Sequence, residues 1–308
     1  MNRADVSVVI CASSLARWPK LVASVASVSA QPSQAREILV VVDHNSELLD
    51  RVHAHLPDVR TMPNAQRAGL AGARNTGIEA AEGSIVAFLD DDATAEPDWL
   101  DHIVCGYEAE AVIGVGGAVE PVWPDRRPRW FPEEFDWVVG CTYRGMPAMS
   151  GPVRNFIGAN MSFRREVFDR VSFFSGIGHA GGRPLGGSDP DFCIRVRREW
   201  PDRVLLYKPN ARVKHWVAPD RARWRYFVRR CFNEGVAKGV LTRRVGRGDA
   251  LELERVYVRR TLPEAVARSV GHAARSRDPE AVLPAAAVVA GLGITTTGYG
   301  IGVMKRSL

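Results

Sequence analysis

Cysteine is scarce in this chain, with five in 308 residues. Cys11, Cys105, Cys141, Cys193 and Cys231 are odd in number, far apart and never spaced as C-x-x-C. That excludes a disulfide framework and a structural zinc site, and fits small buried thiols in a reducing compartment. Residues 1–5 run straight into an apolar strand pattern, without a separate hydrophobic region or cleavage site, so no signal peptide is expected. Internal repeats and low-complexity tracts are missing, which excludes solenoids and biased disordered arrays. Basic residues are not interleaved with stacking aromatics in a recognisable module, so nucleic acid is not an expected partner.

What is present fits a folded α/β chain. Apolar residues make up 46% and charged residues 25%, enough to bury a sizeable core. The net charge of +6 and pI near 9.3 favour an anionic partner: nucleotide phosphates, an acidic glycan or an anionic membrane face. Over the first hundred residues two periods alternate. Continuous apolar runs at 6–11, 38–42 and 85–89 read as buried strands, with a shorter one at 59–62. Between them, residues 19–30, 48–56 and 70–81 have helical spacing, and Gly83 is placed to stop the third helix. This alternation predicts βαβ units and a mostly parallel sheet covered on both faces. Ligands of such sheets sit beyond the carboxyl ends of the strands, where Asp43 and Asp90-Asp91-Asp92 fall.

Further along, residues 121–150 carry five prolines with Trp123, Trp130 and Trp137, and read as an irregular insertion suited to an acceptor-side wall. Residues 173–188 are Gly-rich and aperiodic, hence a loop. The literal G-x-G-x-x-G from Gly176 to Gly181 lacks a following helix and is rejected as a dinucleotide fingerprint. Residues 189–200 and 221–245 have helical spacing, and 204–207 and 211–215 read as two short strands.

The strongest chemical signal is Asp90-Asp91-Asp92. Three adjacent carboxylates at the end of a buried strand repel one another, and a cation, hydrogen bonds or water must offset that. A hard divalent ion, Mg²⁺ or Mn²⁺, suits these oxygens and would bridge them to a diphosphate. The alternative is a solvated acidic turn that caps the helix starting near Pro97. Gly69 to Gly77 is rich in small residues that allow close helix packing, and Arg74 adds a planar fork for phosphate or an acidic loop.

In order, the strand at 6–11, Val41-Val42-Asp43, Gly72-Ala73-Arg74-Asn75-x-Gly77 and Ala87-Phe88-Leu89-Asp90-Asp91-Asp92 resemble the nucleotide-binding half of family 2 glycosyltransferases with the GT-A fold. Two downstream segments continue the resemblance: Gly158-Ala159-Asn160-Met161-Ser162-Phe163-Arg164, and Ser188-Asp189-Pro190-Asp191-Phe192 with Arg195. The resemblance covers roughly residues 5–240 and implies a Rossmann-like sheet flanked by helices, followed by a helical C-terminal extension over 241–308. It divides residues 1–240 into a nucleotide-binding half, 1–120, and an acceptor half, 121–240.

The same resemblance implies the roles. Ala12, Ser13 and Asp43 would contact base and ribose, and Arg74 would shape the nucleotide pocket. Asp90 and Asp91 would lie at the nucleotide and metal. Asp92, with Asp90, would ligate Mn²⁺ or Mg²⁺. Asp189 would be the base of an inverting transfer from a nucleotide sugar, UDP first, to a glycan, lipid-linked or small acceptor. Asp191 is the rival base, because Ser188 stands where the family's motif has Glu. The first strand also departs from the family, with Cys11-Ala12-Ser13-Ser14, as does the second, with Asp43-His44-Asn45. His215 is either a third metal ligand or structural. Arg229 and Arg230 would meet a phosphate or form a solvated basic face.

No charged residue occurs between Glu280 and Lys305. Residues 282–304 are long enough for a bilayer, but Pro284 and five glycines weaken a spanning assignment. Membrane contact, a packed helix and a dimer contact all remain open, and the first would place the protein in the cytoplasm at the inner membrane face. Two other functions stay in view: a nucleotidyltransferase, which would carry a Gly-rich basic loop after the first strand, and an inactive nucleotide- or glycan-binding scaffold.

Overall fold

The computed structural model describes residues 3–172, 179–180, 183–184, 188–246 and 254–304. Most of the expected 173–188 loop, with the Gly176–Gly181 pattern, therefore lies outside the described residues, as do Lys305 and Arg306. Two compact units are present. One comprises residues 1–120, 147–175 and 188–215; the other comprises 121–146, 176–187 and 216–308.

The first unit is built on a mixed sheet. Strand β1 (Arg3–Ala12) is flanked by β2 (Gln34–Val42) and β4 (Ile85–Asp90), both parallel to it, and β3 (Arg60–Pro63) adds a fourth parallel strand. These runs are uninterrupted Val, Ile and Leu because both faces are covered. Val8, Ile10, Val40, Val41 and Val86 are at most 0% exposed, and each such side chain contributes about 1.5–3 kcal/mol. The covering helices are α1 (Trp18–Ser29), α2 (Ser46–His55) and α3 (Leu70–Ala80). Gly77 lets α3 approach the sheet: a Cβ there would come 2.4 Å from Val9 Cγ1.

Beyond β4 the sheet turns antiparallel. After β5 (Ala93–Ala95) and α4 (Trp99–Cys105), β6 (Val112–Val122), β7 (Gly151–Val153), β8 (Asn160–Arg164), α5 (Ser188–Glu199) and β11 (Val204–Trp216) complete the unit. The path is β3-β2-β1-β4-β8-β6-β11-β5, with β7 also on β11. Antiparallel β8 joins the parallel half through its pairing with β4.

Two expectations are corrected. The expected strands at 204–207 and 211–215 are a single strand, β11. Pro209 does not break it, because on that edge β7 pairs with Leu205–Tyr207 and β5 with Val213–His215, leaving the proline between partners. Gly83 does not stop α3, whose C-cap is Ala81 in extended conformation. It marks a close approach instead, since a Cβ on Gly83 would lie 2.6 Å from Ser7 N.

The second unit contains a 3₁₀ segment (Glu133–Val139), a two-stranded hairpin of β9 (His179–Ala180) and β10 (Arg183–Pro184), and helices α6 (Trp224–Val245), α7 (Leu262–Ser276) and α8 (Leu283–Met304). The irregular segment expected at 121–150 supplies an aromatic cluster here. Trp130, Phe131 and Phe135 lie 5.3–5.6 Å from the Phe227 ring, centroid to centroid.

Candidate functional site

The site forms where β1, β2, β4 and β11 end. The carboxylate of Asp43, just past β2, accepts from Asn64 Nδ2 at 2.6 Å and from the Gly69 amide at 2.9 Å. Gly69 has φ 119°, a conformation that favours glycine, and it opens α3. Asp43 therefore fixes the loop leading to α3. Ala12 is buried and its carbonyl accepts from the Asp43 amide at 2.8 Å, whereas Ser13 is exposed at the strand mouth. Asn45 caps α2 with its side-chain oxygen and donates Nδ2 to the Ser13 carbonyl, tying the two strand ends together.

The acidic turn follows β4. Asp90 is partly open, with 29% of its side chain exposed. Burial raises its carboxyl pKa, Arg74 pulls it back, and Asp92 pushes it up again. Asp91 is buried against Arg17 at 2.7 Å, and burial pushes its pKa up to about 6 despite that partner. Arg17 also reaches Asp92 at 3.4 Å. The antiparallel register of β11 on β5 sets His215 opposite Ala93, which brings the imidazole to the turn: Nε2 is 3.1 Å from Asp92 Oδ1. Ligand atoms of Asp90, Asp92 and His215 all lie within 4.8 Å of one another. Two carboxylates and an imidazole fit a divalent cation and would leave positions for phosphate oxygens.

Arg74 is the hub. Its side chain is 2% exposed. Nη1 donates to Asp189 Oδ1 at 2.8 Å, Nη2 donates to the Gly158 carbonyl at 2.8 Å and lies 3.5 Å from Asp90 Oδ1, and the guanidinium sits over the Phe88 ring. Burial opposes its charge, but Asp189 and Asp90 outweigh that and raise its pKa. Asp189, in the first turn of α5, keeps 26% of its side chain exposed. Asp191 is 3% exposed and paired with Arg195 at 2.9 Å. The structure thus brings Asp189 together with Asp90 through Arg74, and leaves buried Asp191 in a separate pair with half-buried Arg195.

The Gly158–Arg164 segment has a structural explanation. A Cβ on Gly158 would lie 2.3 Å from Asp189 Oδ2 and 2.9 Å from Arg74 Nη2, so the glycine makes room for that ion pair. Asn160 is fully buried. It accepts from Trp99 Nε1 at 2.9 Å and donates to the carbonyls of Ala118 and Ala211, joining β8, β6 and β11 beneath the site.

Arg229 and Arg230 lie in the other unit, on α6; Arg229 covers the Tyr226 ring and Arg230 pairs with Glu234. Sequence reasoning passed over Arg17, Asn64 and Gly158 as individual residues. Gly158 had a signal, as the first residue of a recognised motif; Arg17, 74 residues from its partner Asp91, had none.

Fold and site together define a GT-A glycosyltransferase. Among solved structures of similar fold, the mannosyltransferase PcManGT from Pyrobaculum calidifontis, in complex with GDP-Man and Mn²⁺, matches 96% of this chain and 88% of its own at TM-score 0.59 and 20% identity. GalNAc-T7 with UDP, GalNAc and Mn²⁺ matches at TM-score 0.55 and 17% identity, covering 80% of this chain and 52% of its own. Residues 7–172 match the profile of Glycosyl transferase family 2, and the chain belongs to that family. It is 39% identical over 241 residues to a glucosyl-dolichyl phosphate glucuronosyltransferase of Haloferax volcanii, covering 77% of each chain. Succinoglycan biosynthesis protein ExoM of Rhizobium meliloti is 25% identical over 73% of this chain and 72% of its own. The chain is thus a glycosyltransferase of glycan biosynthesis.

Proposed function

We propose that the enzyme transfers a sugar, with inversion, from a nucleotide diphosphate sugar to a hydroxyl of a lipid-linked saccharide at the cytoplasmic membrane face. UDP-sugars are the first donors to test, with GDP- and dTDP-sugars next. The lipid-linked acceptor follows the 39% identical relative, whose name contains dolichyl phosphate. Asp90, Asp92 and His215 would hold Mn²⁺ or Mg²⁺, which supplies a Lewis acid for the departing diphosphate. Ala12, Ser13 and Asp43, where two parallel strands end, would border the nucleoside.

Asp189 would act as the base. It takes the proton of the acceptor hydroxyl while that oxygen forms the new bond to the anomeric carbon. The bond from that carbon to the phosphate oxygen breaks on the opposite face, and the nucleoside diphosphate leaves with the electron pair. A base must reach the proton it removes; Asp189 has an open face, whereas Asp191 is closed in by Arg195. The observation that carries this reading is the Arg74 fork, one buried guanidinium that orients Asp189 and touches the acidic turn through Asp90. Asp189→Asn is expected to bind donor and metal like the wild type with turnover reduced at least about 10³-fold. Retained turnover in this variant, together with its loss in Asp191→Asn, would move the base to Asp191.

A further inference from the structure

By length and composition α8 qualifies as a membrane span: the most apolar 18-residue stretch within residues 279–304 has a mean hydropathy of 1.6, and only 28% of it is buried. Its packing argues against crossing. Gly298 and Gly302, one turn apart, rest on the backbone of α6. A Cβ on Gly298 would come 2.2 Å from the Phe232 carbonyl oxygen, and one on Gly302 would come 2.3 Å from that of Val236. The contact is reciprocal, since a Cβ on Gly235 would meet the Thr295 carbonyl oxygen at 2.1 Å and one on Gly239 that of Tyr299 at 2.6 Å. Two small-x-x-x-small pairs thus bring the helices together backbone to backbone.

Along the same turns α6 carries ions. Glu234, 13% exposed, pairs with Arg230 at 3.0 Å and with Lys238 at 3.4 Å, and Lys238 also pairs with Glu254. A spanning α8 would either draw these charges into hydrocarbon, where charged side chains are costly, or break the glycine seam.

The outward side of the helix pair suits a different placement. Exposed positions on α8 and just before it recur at 282, 286, 289, 293, 296–297 and 304, one face of a helix, with exposed Leu283 at its border. Val282, Leu283, Val289 and Met304 are 41%, 40%, 62% and 73% exposed, and Val270 of α7 adds 49%. Arg259, Arg275 and Arg277 are exposed nearby in sequence, as are Arg260 and Arg268, which pair with Glu264 and Glu134, while Asp278 and Glu280 pair with Arg129. Residues 216–308 hold 17 Lys and Arg against eight Asp and Glu, whereas residues 1–215 hold 24 against 27, so the chain's positive excess lies here.

We infer that α7 and α8 form an interfacial docking surface for an anionic membrane, with α8 lying along the bilayer rather than crossing it. An exposed apolar stripe supplies burial at the headgroup boundary, and the arginines supply attraction to anionic lipid. The inference deepens the reading of an enzyme at a membrane face and rests on it for its setting.

The test uses the full chain in flotation with vesicles of phosphatidylcholine alone or with about a third phosphatidylglycerol. The expected result is flotation with anionic vesicles, at least about tenfold weaker with neutral ones and reduced at about 1 M salt. Alkaline carbonate should release the bound protein. Val289→Asp, at an exposed position, should weaken vesicle binding at least about tenfold while donor hydrolysis without vesicles stays within about twofold. Resistance to carbonate, with the C-terminus shielded from protease added on the side where the catalytic unit sits, would overturn the inference. So would failure to bind anionic vesicles by a preparation that still hydrolyses donor, an outcome that leaves the transferase reading intact.

Discussion

Replacing Arg74 with methionine keeps the length of the side chain and removes its fork. Three groups then lose their partner: Asp189, Asp90 and the Gly158 carbonyl. Removing one member of a buried ion pair costs about 3–5 kcal/mol. Asp189 and Asp90 each keep roughly a quarter of their side chains in solvent, so water offsets part of the loss and about 2–4 kcal/mol remains. At about 2–4 °C per kcal/mol for a large domain, the melting temperature should fall by about 4–16 °C. Turnover should fall at least about 100-fold, because Asp189 is no longer held in one orientation. Arg74→Lys restores charge without the planar fork, so it should recover part of the stability and little of the activity. Differential scanning fluorimetry and a donor-hydrolysis assay on the three proteins read both quantities. A folded Arg74→Met protein that melts within about 1 °C of wild type and turns over within about twofold would refute the coupling of base and acidic turn.

The other predictions concern the surroundings. Gly158→Ala would place a methyl 2.3 Å from Asp189 Oδ2; turnover should drop at least about tenfold with a smaller loss of stability, read as a kcat effect at unchanged donor affinity. Gly117→Ala would put a methyl 1.7 Å from the Ala211 carbonyl oxygen, straining the β6–β11 pairing and costing about 1–3 kcal/mol by chemical denaturation. Asp136 is paired through both carboxylate oxygens with Arg127, yet burial pushes its pKa up to about 6. A carboxyl raised in the folded chain favours the fold most at low pH, and that contribution is lost as pH rises toward and through 6. The stability difference between wild type and Asp136→Asn should therefore shift toward the wild type, by about 1 kcal/mol, between pH 7 and 5.

Legibility in the sequence followed locality. The parallel half of the sheet was readable because its strands are buried on both faces and stand out as continuous Val, Ile and Leu. The acidic turn and Arg74 were readable as unusual residues at a strand end and in a helix of small residues. The single strand β11 was not, because Lys208-Pro209-Asn210 has the composition of a turn, and only the change of partner from β7 to β5 keeps the strand continuous. Gly83 looked like a helix stop because a glycine after a helix usually is one; its contact with Ser7 lies 76 residues away. Arg17 pairs with Asp91 across 74 residues, and nothing local to either end records it. The aromatic content of 121–150 was visible, but its packing around Phe227 depends on a helix a hundred residues later.

The most direct test of the central claim is metal-dependent donor binding. Thermal shift and hydrolysis would be measured on the wild type and Asp92→Ala with UDP-, GDP- and dTDP-sugars, in Mn²⁺, Mg²⁺ or EDTA. At least one nucleotide sugar should stabilise and be hydrolysed by the wild type only with a divalent ion, and Asp92→Ala should lose both responses. Binding and turnover that persist equally in EDTA, or in Asp92→Ala, would contradict a metal held by Asp90, Asp92 and His215.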